Sequence, residues 1–354
     1  MNLSDVLPII TNGSSCASEF EIGERTSYSS RLNIFLHNLV IILTMVFTRK
    51  AVKIMLSKSM FSTTTRNLLF YCMNYYIFHD IYFAFTMNWS LYRSIEKSNN
   101  SCGIMFKGSE CFSYYVIGIF VRVLLLTSQF AVTIEKLIVT FLPNSDLINS
   151  GTLNIMTFIM SVIITSAIRP PSYSQYNNPN CFQQIYPEME TINYLIHLMI
   201  GFDLICFPIN FLIMIRYRRK FLKSQNSGDY NLKSRYNNKS NMNSSIIVSF
   251  ISFVQTLIYT IYILGFFIVL NIYVNADGLF YGNNVALWFY SFPIAGLALP
   301  CSIILSYTGI SIKRKNKITV MNTKITKSGN YMQDAYFKSL ADQWNSARVT
   351  EVGS

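Results

Sequence analysis

Charge is what this chain has least of. Only 13% of its 354 residues are Asp, Glu, Lys or Arg, against about a quarter in soluble domains. The deficit is concentrated: uncharged runs such as Ile155–Ile168 and Ile246–Leu270 alternate with clusters of Lys and Arg. That pattern excludes an ordinary soluble globule and reads as a membrane protein. Histidine is scarce too. His37, His79 and His197 are the only three, each in a different apolar run. There is no H-E-x-x-H, no phosphate-binding Gly-rich loop and no paired-cysteine metal motif, so neither enzyme chemistry nor a metal or cofactor is expected. The first 30 residues are polar, with Asp5, Glu19, Glu21 and Glu24, and lack a basic start followed by an apolar run and a cleavage site. The first transmembrane helix is then expected to serve as the targeting signal. Strict alternation of polar and apolar residues is missing, which argues against a membrane β-barrel. No internal repeat is visible, which argues against a transporter built from repeated halves.

What is there is a set of seven apolar segments, each near the ~20 residues a helix needs to cross hydrocarbon. The first is Leu32–Thr48. The second lies between Arg66 and Arg93, the third between Glu110 and Glu135, the fourth between Asp146 and Arg169, and the fifth between Glu190 and Arg216. The sixth is Ser245–Leu270 and the seventh Asn284–Tyr307. Backbone exposed to lipid must satisfy its own hydrogen bonds, so these runs are expected to be helices. The predicted fold class is all-α, a seven-transmembrane helix bundle over residues 31–308. Segment 1–30 lies before it and a tail, 309–354, follows.

The basic residues sort by side. Of the 29 Lys and Arg, 22 fall on one side, in the loops after the first, third and fifth spans and in the tail, and six on the other. Lys and Arg collect on cytoplasmic loops, so the net charge of +12 reflects topology rather than nucleic-acid binding. The N-terminus is expected outside and the tail in the cytoplasm. The acceptor triplets at Asn2, Asn12 and Asn99 fall on the predicted outer side, where glycosylation occurs. Cys16, Cys102, Cys111 and Cys181 fall there as well, where disulfides persist. Cys111 opens the third span and Cys181 sits mid-loop between the fourth and fifth, so a bridge between them would pin that loop over the outer mouth. Four cysteines allow three pairings, and elimination then leaves Cys16 with Cys102. Cys72, Cys206 and Cys301 lie within spans and are expected to be free packing residues.

At the other end of the third span stand Glu135 and Lys136. Cys111 and Lys136 are 25 residues apart, roughly 37 Å along a helix, which is one crossing. This arrangement resembles the third helix of rhodopsin-like receptors, which carries a cysteine at its outer end and an acid–Arg pair at its inner end. The resemblance implies that Glu135 and Lys136 hold an inactive state and then meet a G protein; an interfacial charge pair that only sets helix depth is the plainer reading. Lysine keeps the charge but loses the planar fork of Arg. Four ionisable or basic groups inside the spans are the other functional pointers: Asp80 beside His79, Arg122 about four turns above Lys136, and Asp203. Asp80 matches in position the acid of rhodopsin-like receptors that binds sodium and switches state. Arg122 is placed to receive an anionic ligand or to pair internally with Asp80 or Asp203, and internal pairing is the favoured expectation. Pro208 and Pro300 are expected to kink the fifth and seventh helices. Leu299-Pro300-Cys301-Ser302-Ile303 stands where rhodopsin-like receptors have Asn-Pro-x-x-Tyr, and only the Pro is kept. The seventh span has no Lys, which excludes a retinal Schiff base. The third inner loop, about Arg216–Asn243, is basic and Asn/Ser-rich, nearly all polar from Ser224, and is expected to be mobile. Lys313-Arg314-Lys315-Asn316-Lys317 is read as a positive-inside stop signal.

Several short motifs resemble the nematode serpentine chemoreceptors, most closely class alpha. They are Cys16-Ala17-Ser18-Glu19, Glu24-Arg25-Thr26-Ser27, Ser101-Cys102-Gly103-Ile104-Met105-Phe106, Glu110-Cys111-Phe112, and Ile134-Glu135-Lys136-Leu137-Ile138-Val139-Thr140-Phe141-Leu142-Pro143. The family usually has Glu-Arg where this chain has Glu135-Lys136. The resemblance implies a plasma-membrane receptor in the sensory cilia of chemosensory neurons. It would detect small-molecule odorants or pheromones and activate a heterotrimeric G protein. A seven-helix ligand-gated ion channel of reversed orientation and a non-sensory peptide or amine receptor are the alternatives.

Overall fold

The computed structural model describes residues 19–57, 61–141, 150–167, 177–178, 181, 190–226, 232–274 and 290–327. A short helix α1 (Glu19–Thr26) precedes seven long ones: α2 (Tyr28–Ser57), α3 (Thr63–Glu96), α4 (Gly108–Phe141), α5 (Ser150–Ala167), α6 (Glu190–Asn226), α7 (Leu232–Val274) and α8 (Phe292–Lys327). These seven correspond in order to the seven spans read from the sequence. Two short strands, β1 (Phe106–Lys107) and β2 (Asn177–Asn178), pair antiparallel. The chain forms two compact units, Met1–Ile304 and Leu305–Ser354. The described part of the second unit is helical through Lys327 and includes the basic cluster that begins at Lys313.

The first unit is an inside-out amphipathic bundle. Helix α5 shows why: it turns Ile155, Phe158, Ile159, Val162 and Ile163 outward and buries Thr157 and Ser161. The Ser161 hydroxyl lies 2.9 Å from that of Thr127 on α4, and Thr157 Oγ1 donates to its own helix at Leu153 O. In water the arrangement would run the other way, since exposed apolar surface is costly and a buried hydroxyl needs a partner. Helix α2 repeats the pattern, with Phe35, Leu39, Ile42 and Val46 outward and Asn33, His37, Thr44 and Thr48 inward. By length and hydropathy Glu110–Phe141, Lys239–Gly265 and Phe292–Lys313 are long and apolar enough to cross a membrane, and Ser150–Ser166 is a shorter apolar helix.

Two features depart from the sequence reading. Residues 232–243, expected to be part of a mobile loop, are the first turns of α7. Helix propagation adds one backbone hydrogen bond per residue fixed, so a helix once nucleated by its apolar part continues through polar Asn and Ser. Helix α1 was also not anticipated; Thr26 Oγ1 closes its last turn on Ile22 O at 2.8 Å.

Candidate functional site

At one end of the bundle Cys111, the fourth residue of α4, is disulfide-bonded to Cys181. Both sulfurs are buried, packed with Phe106 of β1. Phe106 lies beneath two guanidinium groups, Arg93 at 4.1 Å and Arg25 at 5.5 Å from its ring centroid. Arg93 also pairs with Glu110 and donates to Met105 O at 3.0 Å. Arg25, from α1, donates to the Ile104 carbonyl and to Ser90 Oγ. Cation–π contacts and charge-assisted hydrogen bonds thus staple α1, the residues before β1, and the tip of α3 into one cap. Cys102 is disulfide-bonded too. Cys16, Asn2 and Asn12 lie outside the described residues, while Asn99 is exposed in the turn after α3.

Below the cap a column of polar groups runs through the bundle core. His79 and Asp80 on α3 are buried, with His79 Nδ1 at 3.1 Å from Asp80 Oδ1 and Nε2 at 2.7 Å from the Tyr290 hydroxyl. His79 is flanked by the rings of Phe83, Tyr290 and Phe292. Gly296 on α8 makes room for this group: a Cβ there would stand 3.1 Å from Tyr76 Cδ1 and 3.3 Å from Asp80 Oδ2. Arg122 is buried, and its Nε donates to Gly118 O of its own helix at 3.1 Å. Ion pairs in the bundle include His79–Asp80, Arg93–Glu110 and Glu135–Lys136. The rotation of α4 sets Arg122 within electrostatic reach of Tyr82, Tyr262 and Tyr290.

One turn further in is a hydrogen-bonded knot that the sequence reading missed. The hydroxyls of Tyr76 (α3) and Tyr259 (α7) are 2.7 Å apart. Gln129 Nε2 of α4 donates to both, at 2.8 and 3.3 Å, and Gln255 Nε2 of α7 donates to Tyr76 at 3.1 Å. A signal existed: Arg122, Gln129 and Lys136 are each seven residues apart and so share one face of α4.

At the far end of α4 the Glu135–Lys136 pair is almost wholly buried. Glu135 Oε1 accepts from Thr65 Oγ1 at 2.9 Å and from Ser62 Oγ at 3.3 Å. Ser62 is the N-cap of α3, its side chain accepting from Thr65 N. Lys136 Nζ donates to Thr65 Oγ1 and to Ser244 Oγ of α7, both at 2.8 Å, and stands 3.5 Å from Glu135 Oε2. A buried ammonium needs its three donors occupied, and here those contacts tie α3, α4 and α7 together. Pro208 and Pro300 lie inside α6 and α8.

Comparison with known proteins places this geometry. The profile of the family described as serpentine type 7TM GPCR chemoreceptor Sra matches residues 11–344. Serpentine receptor class alpha-32 of Caenorhabditis elegans is 28% identical over 329 residues, covering 90% of this chain and 93% of that protein. Class alpha-10 of the same organism is 27% identical over 343 residues, 95% and 99% of the two chains, and class alpha-33 is 26% identical over 339 residues, 93% and 98%. The match spans every helix described above, and the chain belongs to the Sra family of serpentine seven-transmembrane chemoreceptors, multi-pass membrane proteins.

Proposed function

We propose that the protein is a G-protein-coupled chemosensory receptor of the plasma membrane, working in the cilia of sensory neurons. It takes a small environmental molecule or pheromone toward the capped end and acts on a heterotrimeric G protein at the Lys136 end. The observation that carries this reading is the buried latch of Lys136 on α4 with Ser244 on α7. It joins two helices at the end opposite the disulfide, where a ligand-driven shift between two packings would open a surface for a partner. Between the two ends, Tyr76, Gln129, Gln255 and Tyr259 join α3, α4 and α7 by hydrogen bonds. The excess of basic residues on the Lys136 side supports a cytoplasmic face there and an outer N-terminal segment, with Asn2, Asn12 and Asn99 glycosylated and Cys16 bridged to Cys102.

The test is topology followed by coupling. Tags at each end are probed with antibody in intact cells, with glycosidase sensitivity read in parallel. The purified receptor is then reconstituted with G protein and nucleotide exchange is measured. An outer, glycosylated N-terminus, a hidden tail and receptor-dependent exchange support the reading. An exposed tail with a hidden N-terminus ends it and leaves the reversed ion channel in its place.

A further inference from the structure

The charged groups Asp80, Arg122, Glu135, Lys136 and Asp203 are all buried in the bundle. A pair of asparagines is different and faces outward. Asn38 on α2 is half-buried and Asn88 on α3 is exposed. Their carboxamides bond reciprocally: Asn38 Nδ2 donates to Asn88 Oδ1 at 3.0 Å, and Asn88 Nδ2 donates to Asn38 Oδ1 at 3.1 Å. The surface around them is apolar. Phe35 and Ile42, three residues before and four after Asn38, share its face of α2 and are exposed. Phe85 and Tyr92 stand in the same way about Asn88 on α3. Asn38 is six residues inside the span that opens at Leu32, roughly 9 Å of helix rise. The pair therefore sits among groups that face lipid chains, not at a helix end.

A carboxamide carries two donor hydrogens and an oxygen with two lone pairs. Asn88 spends both hydrogens, the second on Ala84 O at 2.8 Å. Asn38 spends one, and its second has no partner among the described residues. Each oxygen accepts one bond from the other side chain, which leaves it a further lone pair. Lipid chains offer nothing to such groups, and a polar group left unsatisfied among them is costly. The reciprocal bond lessens that cost without removing it.

We propose that this face of α2 and α3 is where a second copy of the chain docks, with Asn38 of each copy donating its remaining hydrogen to a carboxamide oxygen of the other. One open donor beside two open acceptors makes the patch its own complement. Copies inserted in the same orientation carry Asn38 at the same depth. A twofold axis along the membrane normal then brings the pair onto its symmetry mate, as an isologous interface requires. Phe35, Ile42, Phe85 and Tyr92 supply the packing, and the amide hydrogen bonds fix the register, as polar side chains do between membrane helices. The association rests on neither the ligand nor G-protein coupling.

The experiment is energy transfer between donor- and acceptor-labelled full-length receptor in proteoliposomes, read as a function of protein density. Wild-type receptor is expected to associate, and Asn38→Leu to weaken the association roughly tenfold, since a membrane amide hydrogen bond lost from each copy is worth about that much. Oxidative cross-linking locates the face. Ile42→Cys is expected to give a covalent dimer, and Ile159→Cys, exposed on α5, to remain at the wild-type background. A wild type that stays monomeric at every density overturns the proposal, because the asparagines then meet lipid alone. Association undiminished in Asn38→Leu overturns it, as does cross-linking at Ile159→Cys in preference to Ile42→Cys. Should Asn38→Leu fail to fold, the cysteine variants, which keep the asparagine pair, decide: a dimer at Ile42→Cys supports the interface and its absence overturns it.

Discussion

Lys136 on α4 donates to the hydroxyl of Ser244 on α7 at 2.8 Å, and the same ammonium donates to Thr65 at the start of α3. Lys136 is a compact point charge, and beside the Glu135 carboxylate it reaches neutral hydroxyls on two other helices. A latch made this way is closed by one charge-assisted hydrogen bond per neighbouring helix. That makes it tunable by a single hydroxyl.

Ser244→Ala is therefore expected to raise ligand-independent nucleotide exchange. A hydrogen bond to a charged group contributes about 1.5 kcal/mol or more, so a two-state equilibrium shifts roughly tenfold toward the open packing. Ser244→Thr keeps the hydroxyl and should keep basal exchange low. Equal basal exchange in wild type and Ser244→Ala, at equal surface expression, would sink the latch.

The Tyr76 hydroxyl meets three partners, whereas that of Tyr259 meets Tyr76 and, more distantly, Gln129. Removing the better-connected group strands more buried donors. Tyr76→Phe should lower thermal stability by about 2–3 kcal/mol and Tyr259→Phe by about 1 kcal/mol, since each stranded group costs ~1–3 kcal/mol. The double variant should fall short of the sum, because both changes dismantle one knot. Equal losses from the two single variants would contradict the unequal connectivity.

How much of this was legible in the sequence depends on which forces set each feature. The seven helices follow from hydropathy and length, which act locally, so α4 (Gly108–Phe141) contains the span read between Glu110 and Glu135. The sequence placed Asp80 and His79 inside a span and Glu135 and Lys136 at the end of the third; all four are buried, the last two more deeply than an interfacial pair would be. The failures came from helix rotation and from partners of middling polarity. Charge dominates a sequence reading, so Arg122 was read against acids alone, and the tyrosines within its electrostatic reach, Tyr82, Tyr262 and Tyr290, were not foreseen. Tyr76, Tyr259, Gln129 and Gln255 escaped notice because Tyr and Gln barely perturb a hydropathy window. Their bonds join different helices, whose mutual register no single-chain periodicity specifies.

The disulfide closes a sequence separation of 70 residues, which by loop entropy stabilises the fold by ~4 kcal/mol. Cys111→Ser and Cys181→Ser should each reduce surface expression severely. The double variant should be no worse than either single one, since the second change removes nothing further. A much weaker double variant would mean that each cysteine has a separate role.

Gly296 tests how tightly α8 is keyed to α3. Its Cα faces the one stretch of α3 that carries both Tyr76 and Asp80, and a methyl group there would stand inside ordinary contact distance of each. Tyr76 cannot swing aside, because three hydrogen bonds hold its hydroxyl. Asp80 is equally constrained by His79, which is fixed in turn by Tyr290. With no flexible neighbour to give way, the helices must part by a few tenths of an ångström. Gly296→Ala should then cost about 1–3 kcal/mol, the usual penalty of overpacking, and Gly296→Val more. The two losses should be read as melting midpoints of the purified receptor. Combining Gly296→Ala with Tyr76→Leu, which removes the obstructing ring, should recover part of the steric loss relative to the sum of the single variants. Strict additivity would show that α8 approaches α3 less closely than the contact at Gly296 implies.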